Sequence, residues 1–383
     1  MSDIQYVVDR QALGIACDTL STREWVAVDT EFVRERTYFS RLALVQLASE
    51  DCIFCVDPLA IDDLTALFDL LERRPVLKVF HAAGQDIETL FHLRGAVTTP
   101  VFDTQIAASL LGFGDQTGYA QVVEKLLGVS LDKSPARTDW MNRPLSRKQL
   151  AYAADDVRYL REIYPLLVDR LRAEGRLEWM ADELAYLQDA ANFRPDPPNA
   201  WTRVKGTGKL NRLQLNVLRH LADWRERQAM KIDKPRKWIV SDDALVNLAM
   251  QQPEDEKALL TVRLLSERTA TRYADTLLGL IEKGRCDPEE MWPAVKLGKR
   301  PTSQEEATLD MLMAVVRIKA AEHRLSPGQI TTRSELLKIM RGSQACPLQK
   351  GWRYDVAGDA VMKALEGTMT LVCRSGSASL RQD

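Results

Sequence analysis

Residues 26–32 read VAVDTEF: an apolar run followed by Asp29 and Glu31, two positions apart. The run predicts a β-strand. On a strand, side chains two apart project from one face, so both acids would arrive together at its end. An isolated pair of this kind usually frays into solvent; here the apolar residues before it predict that the pair is carried toward the centre of a domain. Working outward, RLALVQLAS (41–49) and CIFCVDP (52–58) predict two more strands and hence a three-stranded start to a sheet. A helix over about 62–72, a buried strand in VLKVFHA (76–82), a helix over about 85–93 and a short strand in VFDT (101–104) follow. That order predicts a mixed sheet flanked by helices, the α/β class.

Three further residues point to the same chemistry. Asp86 falls in the first turn of a helix, where the helix dipole favours a carboxylate. Alone it would be structural; its weight comes from position, because sites in open α/β sheets form where strands hand over to loops and helices. Tyr152 and Asp156 lie four apart on a helix that Ser146 and Gln149 would cap as a box, with Leu150, Ala153, Ala154, Val157 and Leu160 as its apolar stripe. Phenol and carboxylate therefore share a face, and Pro165 is expected to end or kink the helix. Asp155, on one face with Arg158 and Glu162, reads as a solvated ion-pair position. Asp57 and Asp103 lack a second carboxylate two residues on and read as a turn and a helix cap. Clustering carboxylates is costly: two unit charges about 4 Å apart repel by about 4 kcal/mol at an effective dielectric of about 20. A cation is therefore expected. All-oxygen ligation and a chain with only four histidines favour hard ions such as Mg²⁺ or Mn²⁺ over zinc.

The 383 residues predict two or three domains, and 45% hydrophobic with 28% charged residues excludes disordered and fibrous classes. MSDIQYVVDR has neither a basic start nor an apolar core, and no stretch approaches the roughly 20 apolar residues of a membrane span, so a cytoplasmic protein with reduced thiols is expected. Cys52 and Cys55, a lone CxxC in a strand-like run, are expected in the core rather than on zinc. The net charge of -2 hides a segregation: residues 201–240 hold eleven Lys and Arg against three Asp and Glu, leaving -10 elsewhere. A basic segment interleaved with Trp201, Trp224 and Trp238 predicts a nucleic-acid contact surface. Its candidates are Lys205, Arg212, Lys234, Arg236, Lys237 and Trp238, with Lys133 and Arg137 from an earlier loop; Trp224 is expected to be core. FRPDPPNA (193–200) marks the domain boundary. Beyond it the chain reads helical, and a shift of 92 positions lays Ala222, Arg225, Ala229 and Pro235 on Ala314, Arg317, Ala321 and Pro327, which predicts two related modules. DKPRKW (233–238) in the first gives way to RLSPGQ (324–329) in the second. Residues 376–383 read as a disordered tail.

Taken together, DTE (29–31), the Asp of GQDIE (84–88) and YxxxD (152–156) resemble the DnaQ-like 3′→5′ exonucleases of the tyrosine subtype, in that family's order. VDTEFVRERTY (28–38), LDKSPARTDW (131–140), YAADDVRYL (152–160) and the helical modules look like the bacterial ribonuclease D family over nearly the whole chain, and the first module is similar to an HRDC domain. The resemblance implies a ribonuclease H-like mixed sheet followed by two all-α domains: an exonuclease domain (1–195), a Pro-rich linker (196–205), an HRDC domain (206–290) and a second HRDC-like domain (291–375). It implies that Asp29 bridges two divalent ions, that Glu31 and Asp156 complete one while Asp86 supports the other, and that Tyr152 orients the attacking water. Nucleoside 5′-monophosphates would leave a 3′ end one at a time. RNA as substrate, with tRNA 3′-end maturation, is implied by the whole-chain likeness. The motifs alone would serve an exodeoxyribonuclease equally, since RNA is distinguished through its 2′-OH. A non-catalytic binding scaffold would be expected to lack one of the five residues, and all are present. A monomer with no membrane partner is the expected state.

Overall fold

Strand β2 (Trp25–Val33) lies inside a six-stranded sheet with β1 (Ile4–Val7), β3 (Arg41–Ala48), β4 (Ile53–Val56), β5 (Leu77–Phe80) and β6 (Val101–Asp103), in the order β1-β4-β3-β2-β5-β6. The β3–β4 pair is antiparallel, whereas β1–β4, β2–β5 and β5–β6 are parallel, so the sheet is mixed as expected. The structure, a computed structural model, describes residues 4–73, 75–131, 138–293 and 300–382. They divide into two compact units, one drawn from residues 1–31, 42–192 and 299–383, the other from 32–41 and 193–298.

In the first unit the sheet is flanked by α1 (Arg10–Ser21), α2 (Thr65–Glu72), α3 (Gly84–Arg94), α4 (Thr104–Leu110), α5 (Tyr119–Leu127), α6 (Arg147–Ala173) and α7 (Trp179–Leu184). The edge strand β1 and helix α1 are additions to the expected elements; four residues of strand carry too little alternation to be read locally. Cys55 is fully buried and Cys52 nearly so, inside the core as expected, and all six cysteines are free. The capping box forms on α6, where Ser146 Oγ accepts from the Gln149 amide at 3.2 Å. Pro165 does not end this helix. Its buried stripe continues through Ile163, Leu167 and Leu171, while Pro165 itself faces solvent, where water can satisfy the carbonyl that the missing N–H leaves unpaired.

The second unit packs α8 (Arg212–Lys231) against α9 (Arg236–Ile239), α10 (Asp242–Gln251), α11 (Glu256–Leu260), α12 (Glu267–Arg272) and α13 (Ala274–Cys286) around Leu218, Leu221, Leu245, Leu248 and Leu277. Trp224 packs on this core with its ring edge-on to Tyr273 at 5.0 Å. The stretch expected as a linker folds as a 3₁₀ turn, Pro197–Arg203, that packs on α8 and buries Ala200. Phe32–Arg41 belongs to this unit too: the buried Tyr38 hydroxyl donates to Glu226, and the Asp233 carboxylate accepts from the amides of Tyr38 (2.9 Å) and Phe39 (3.1 Å).

After residue 300 the chain forms α14 (Ser303–Glu322), α15 (Pro327–Ile330), α16 (Arg333–Met340), α17 (Gly351–Arg353) and α18 (Asp359–Glu366). The repeat read from sequence is visible here: each module opens with a 20-residue helix that carries a capping box at its N-terminus, followed by a four-residue helix. These helices group with the first unit instead of standing apart. Arg353 forks onto Glu183 at 2.6 and 3.0 Å, and Trp352 stacks on Trp179 with ring centroids 4.7 Å apart. Residues expected as a disordered tail form β8 (Ser377–Gln382), antiparallel to β7 (Met369–Arg374). The turn between them uses Ser375 and Gly376, both at positive φ (52° and 81°), the twist that a two-residue hairpin loop requires.

Candidate active site

Strand β2 brings Asp29 and Glu31 to one face, and α6 brings Asp156 to meet them. One carboxylate oxygen from each of the three lies within 4.8 Å of the others, and all three residues are partly buried. Asp86, in the first turn of α3, is buried and accepts the Thr30 hydroxyl. Its charge reaches the triplet: burial first, then the charges of Asp156, Asp86 and Glu31, push the Asp29 carboxyl well above the ordinary carboxylate range. Burial, then Asp156 and Asp86, raises Glu31 to about 8. Burial raises Asp156 to about 7. It also raises Asp86 to about 7, against the opposing hydrogen bond from Thr30. Tyr152 shares the α6 face; burial, then the charges of Asp156, Glu31 and Asp29, pushes its phenol up, so it keeps its proton and remains a donor at neutral pH.

Asp57 behaves in the opposite way. Asp57 is 1% exposed, and although burial raises it, hydrogen bonds from Arg143 and Tyr6 hold it below its ordinary value. Arg143 binds it through two nitrogens at 2.6 and 2.8 Å, and the Leu59 amide adds the expected turn at 3.0 Å. Asp103 caps α4 through the Gln105 amide at 2.8 Å, as expected, and Asp155 pairs with Arg158. Among the described residues no Lys or Arg pairs with Asp29, Glu31, Asp86 or Asp156. With no basic partner among the described residues, four acids repel one another unless a cation intervenes. The donor set, carboxylate oxygen throughout, fits a hard divalent ion.

Two supports escaped the sequence reading. Tyr119, the first residue of α5, donates its hydroxyl to the backbone carbonyls of Asp156 (2.6 Å) and Asp155 (3.0 Å), tying down the turn of α6 that presents the carboxylate. Its target is backbone, which has no residue-type signature, so no local pattern could have found it. Asp103 also accepts the amides of Ala82 (3.0 Å) and Ala83 (2.9 Å), holding Ala82 at φ 60° in the turn that launches α3 and Asp86. A non-glycine residue in that left-handed conformation needs such fixing. Tyr119→Phe is expected to weaken divalent-cation uptake about fivefold, the worth of one hydrogen bond of about 1 kcal/mol, with the fold retained. Calorimetric titration of Mn²⁺ checks it, and an unchanged affinity would show that α6 holds its place without the phenol.

Of the nucleic-acid candidates, Lys205, Arg212, Lys234, Arg236, Lys237 and Trp238 all fall in the second unit, and Lys133 and Arg137 lie outside the described residues. Lys205, Lys234 and Lys237 are exposed, and Trp238 is 53% exposed. Arg212 donates to the Glu289 carbonyl at 3.1 Å and lies over the Trp292 ring; Arg236 reaches Glu226 at 3.4 Å and lies over Tyr38. No helix among the described residues is long and apolar enough to cross a membrane.

Residues 4–172 match the family described as 3′-5′ exonuclease, and residues 214–281 match the HRDC domain. The chain is 40% identical over 374 residues to ribonuclease D of Bartonella henselae, covering 97% of this chain and 92% of that one. It is 40% identical over 357 residues to ribonuclease D of Gluconacetobacter diazotrophicus, covering 92% of this chain and 91% of the relative. Among solved structures it resembles Escherichia coli RNase D, described as an exoribonuclease involved in structured RNA processing, with a TM-score of 0.86, 31% identity and coverage of 95% and 99%.

Proposed function

The chain belongs to the ribonuclease D family, and from that membership we propose that it trims RNA from the 3′ end, releasing nucleoside 5′-monophosphates one at a time with two divalent cations, Mg²⁺ or Mn²⁺. Its activity is that of a 3′→5′ exoribonuclease. The observation that carries the mechanism is the triplet of Asp29, Glu31 and Asp156 within 4.8 Å, which no Lys or Arg among the described residues pairs. These residues would hold the cations, with Asp86 in support. Bound divalent ions supply Lewis acidity: they neutralise the carboxylates, lower the pKa of a coordinated water and favour charge on the departing oxygen.

The chain's own groups do the positioning. Strand β2 fixes the relative placement of Asp29 and Glu31, because both sit on one rigid, hydrogen-bonded element. The protonated Tyr152 donates a hydrogen bond that orients the attacking water toward the terminal phosphodiester. Thr30 holds Asp86, and Tyr119 holds the turn of α6 beneath Asp156. Lys205, Arg212, Lys234, Arg236 and Lys237 of the second unit would bind the RNA backbone without regard to sequence, and the exposed Trp238 offers a face for a base. The setting we assign is the cytoplasm, with tRNA precursors among the substrates and the chain acting as a monomer.

The test is a time course on 5′-labelled single-stranded RNA and the matched DNA, each with Mg²⁺ and with EDTA. A ladder shortening by single nucleotides on RNA, at least tenfold slower on DNA and absent in EDTA, is expected. Equal rates on both polymers would make the protein a general 3′→5′ exonuclease, and internal cuts would contradict the exonuclease reading.

A further inference from the structure

The second unit contains a cavity of about 570 Å³ whose wall is formed by the segment after β2, the 3₁₀ turn, α8, α9 and the start of α10. Five cationic side chains, Arg34, Arg203, Arg225, Arg236 and Lys237, line it against two acids, Glu35 and Asp242. Asp242 is already engaged: one oxygen accepts Arg225 Nη1 at 2.7 Å and the other accepts the Lys205 amide at 3.1 Å. Glu226, beneath the cavity, is engaged as well, by the Tyr38 hydroxyl and by Arg236 Nε at 3.4 Å. The cations therefore outnumber the acids near them, and two of those acids, Asp242 and Glu226, each engage an arginine.

Two observations indicate that the surplus serves a ligand. Arg225 is 4% exposed, yet its Nε–H has no hydrogen-bond partner among the described residues. A buried guanidinium N–H left unpaired is unfavourable, and an anion in the cavity would satisfy it. The second helical module, moreover, repeats the 20-residue and four-residue helices and keeps Arg225 as Arg317, but lacks the exposed pair: at the repeat shift, Arg236 and Lys237 become Gly328 and Gln329. The module folds without them, so folding does not explain them.

We infer that this cavity binds a phosphodiester of the polynucleotide backbone, with Arg203, Arg236 and Lys237 as its accessible cations and Arg225 as its buried one. Guanidinium forks match phosphate oxygens in geometry as well as charge, which a scatter of exposed lysines would not. The volume accommodates a nucleotide-sized segment. The inference rests on RNA as the substrate class and adds to it the place where the backbone is gripped.

Arg34 stands three residues beyond Glu31 on the chain, so a change there could disturb the catalytic strand; Arg203 and Lys237, both exposed, are the residues to alter. The full chain carrying Asp29→Asn, which blocks cleavage, is titrated with fluorescein-labelled single-stranded RNA in EDTA across a range of KCl. Adding Arg203→Gln and Lys237→Gln is expected to weaken binding at least fivefold and to lower the slope of log K against log salt by about 1.4, roughly 0.7 per phosphate contact on a single strand. Lys257→Gln with Arg268→Gln, which removes equal charge elsewhere on the same unit, should stay within twofold. A cavity variant no weaker than this control overturns the inference. So does tight, Arg203-dependent binding of uridine 5′-monophosphate alongside unchanged RNA affinity, which would make the cavity a mononucleotide site. An unchanged melting temperature assigns any loss to binding, and the single variants give the same contrast if the pair melts lower. Because cleavage is blocked throughout, a wild-type chain that leaves RNA intact would strike the nuclease reading alone.

Discussion

Asp29→Asn is expected to reduce single-turnover RNA cleavage by at least about a thousandfold, roughly 4 kcal/mol of barrier, while leaving the protein folded. Asp29 is the residue on which the charges of Glu31, Asp86 and Asp156 all act. An amide in its place keeps the shape of the side chain and removes the anion, so the cluster loses the carboxylate through which its members are coupled. Rapid-quench measurement with saturating Mg²⁺ separates this from a binding defect, since losing a negative charge should leave RNA affinity equal or slightly better. Asp155→Asn is the matched comparison. It removes a carboxylate one residue from Asp156, but its partner is Arg158 at the surface, where such pairs contribute about 0–1 kcal/mol. It should keep cleavage within about twofold. Comparable losses in both variants would mean that Asp29 has no special role.

The second large effect is on stability. Glu31 titrates near 8 and Asp86 and Asp156 near 7 in the folded, metal-free protein, with Asp29 well above its ordinary value; unfolded, all would titrate near 4. Across that interval the folded state binds more protons than the unfolded one, so stability falls as pH rises. The contribution of these groups is fully present below about pH 4 and is lost as pH climbs through 7 to 8. In EDTA the first unit is therefore expected to melt at least about 5 °C lower at pH 8 than at pH 5, taking about 2–4 °C per kcal/mol for a unit of this size. A divalent ion substitutes for the protons: saturation at a hundred times its Kd adds about 2.7 kcal/mol, and the gain should be largest at pH 8, where the carboxylates are charged. A melting temperature that rises from pH 5 to pH 8 in EDTA would contradict this reading of the cluster.

How much of the site could be read from the sequence depended on the range of the interaction. Asp29 and Glu31 were legible because a strand's two-residue period and an apolar run act locally, and Tyr152 with Asp156 because a capping box fixes the start of α6 and thereby its face. Asp86 was legible from the helix start. Tyr119 and the second role of Asp103 were not, since their partners are backbone groups 20 or more residues away. The fork of Arg353 on Glu183 joins residues 170 apart within the unit that holds both the sheet and the C-terminal helices, a pairing that a repeat in the sequence cannot reveal. Pro165 does not end α6 as it would end a helix in isolation, because the buried stripe on both sides of it holds the helix together. The hairpin at the end was hidden by small polar residues whose composition resembles a tail and whose Ser-Gly turn is the actual signal.

Thermal melting of the wild-type chain and of Asp29→Asn at pH 8, each in EDTA and then with Mn²⁺, tests the acid cluster as a cation site. The wild type should melt low in EDTA and gain at least about 5 °C with Mn²⁺, about 2 kcal/mol at this size. Asp29→Asn, with one fewer repelling charge, should melt higher than wild type in EDTA and gain little from the metal. Equal Mn²⁺ gains in the two proteins, or none in either, would contradict the account.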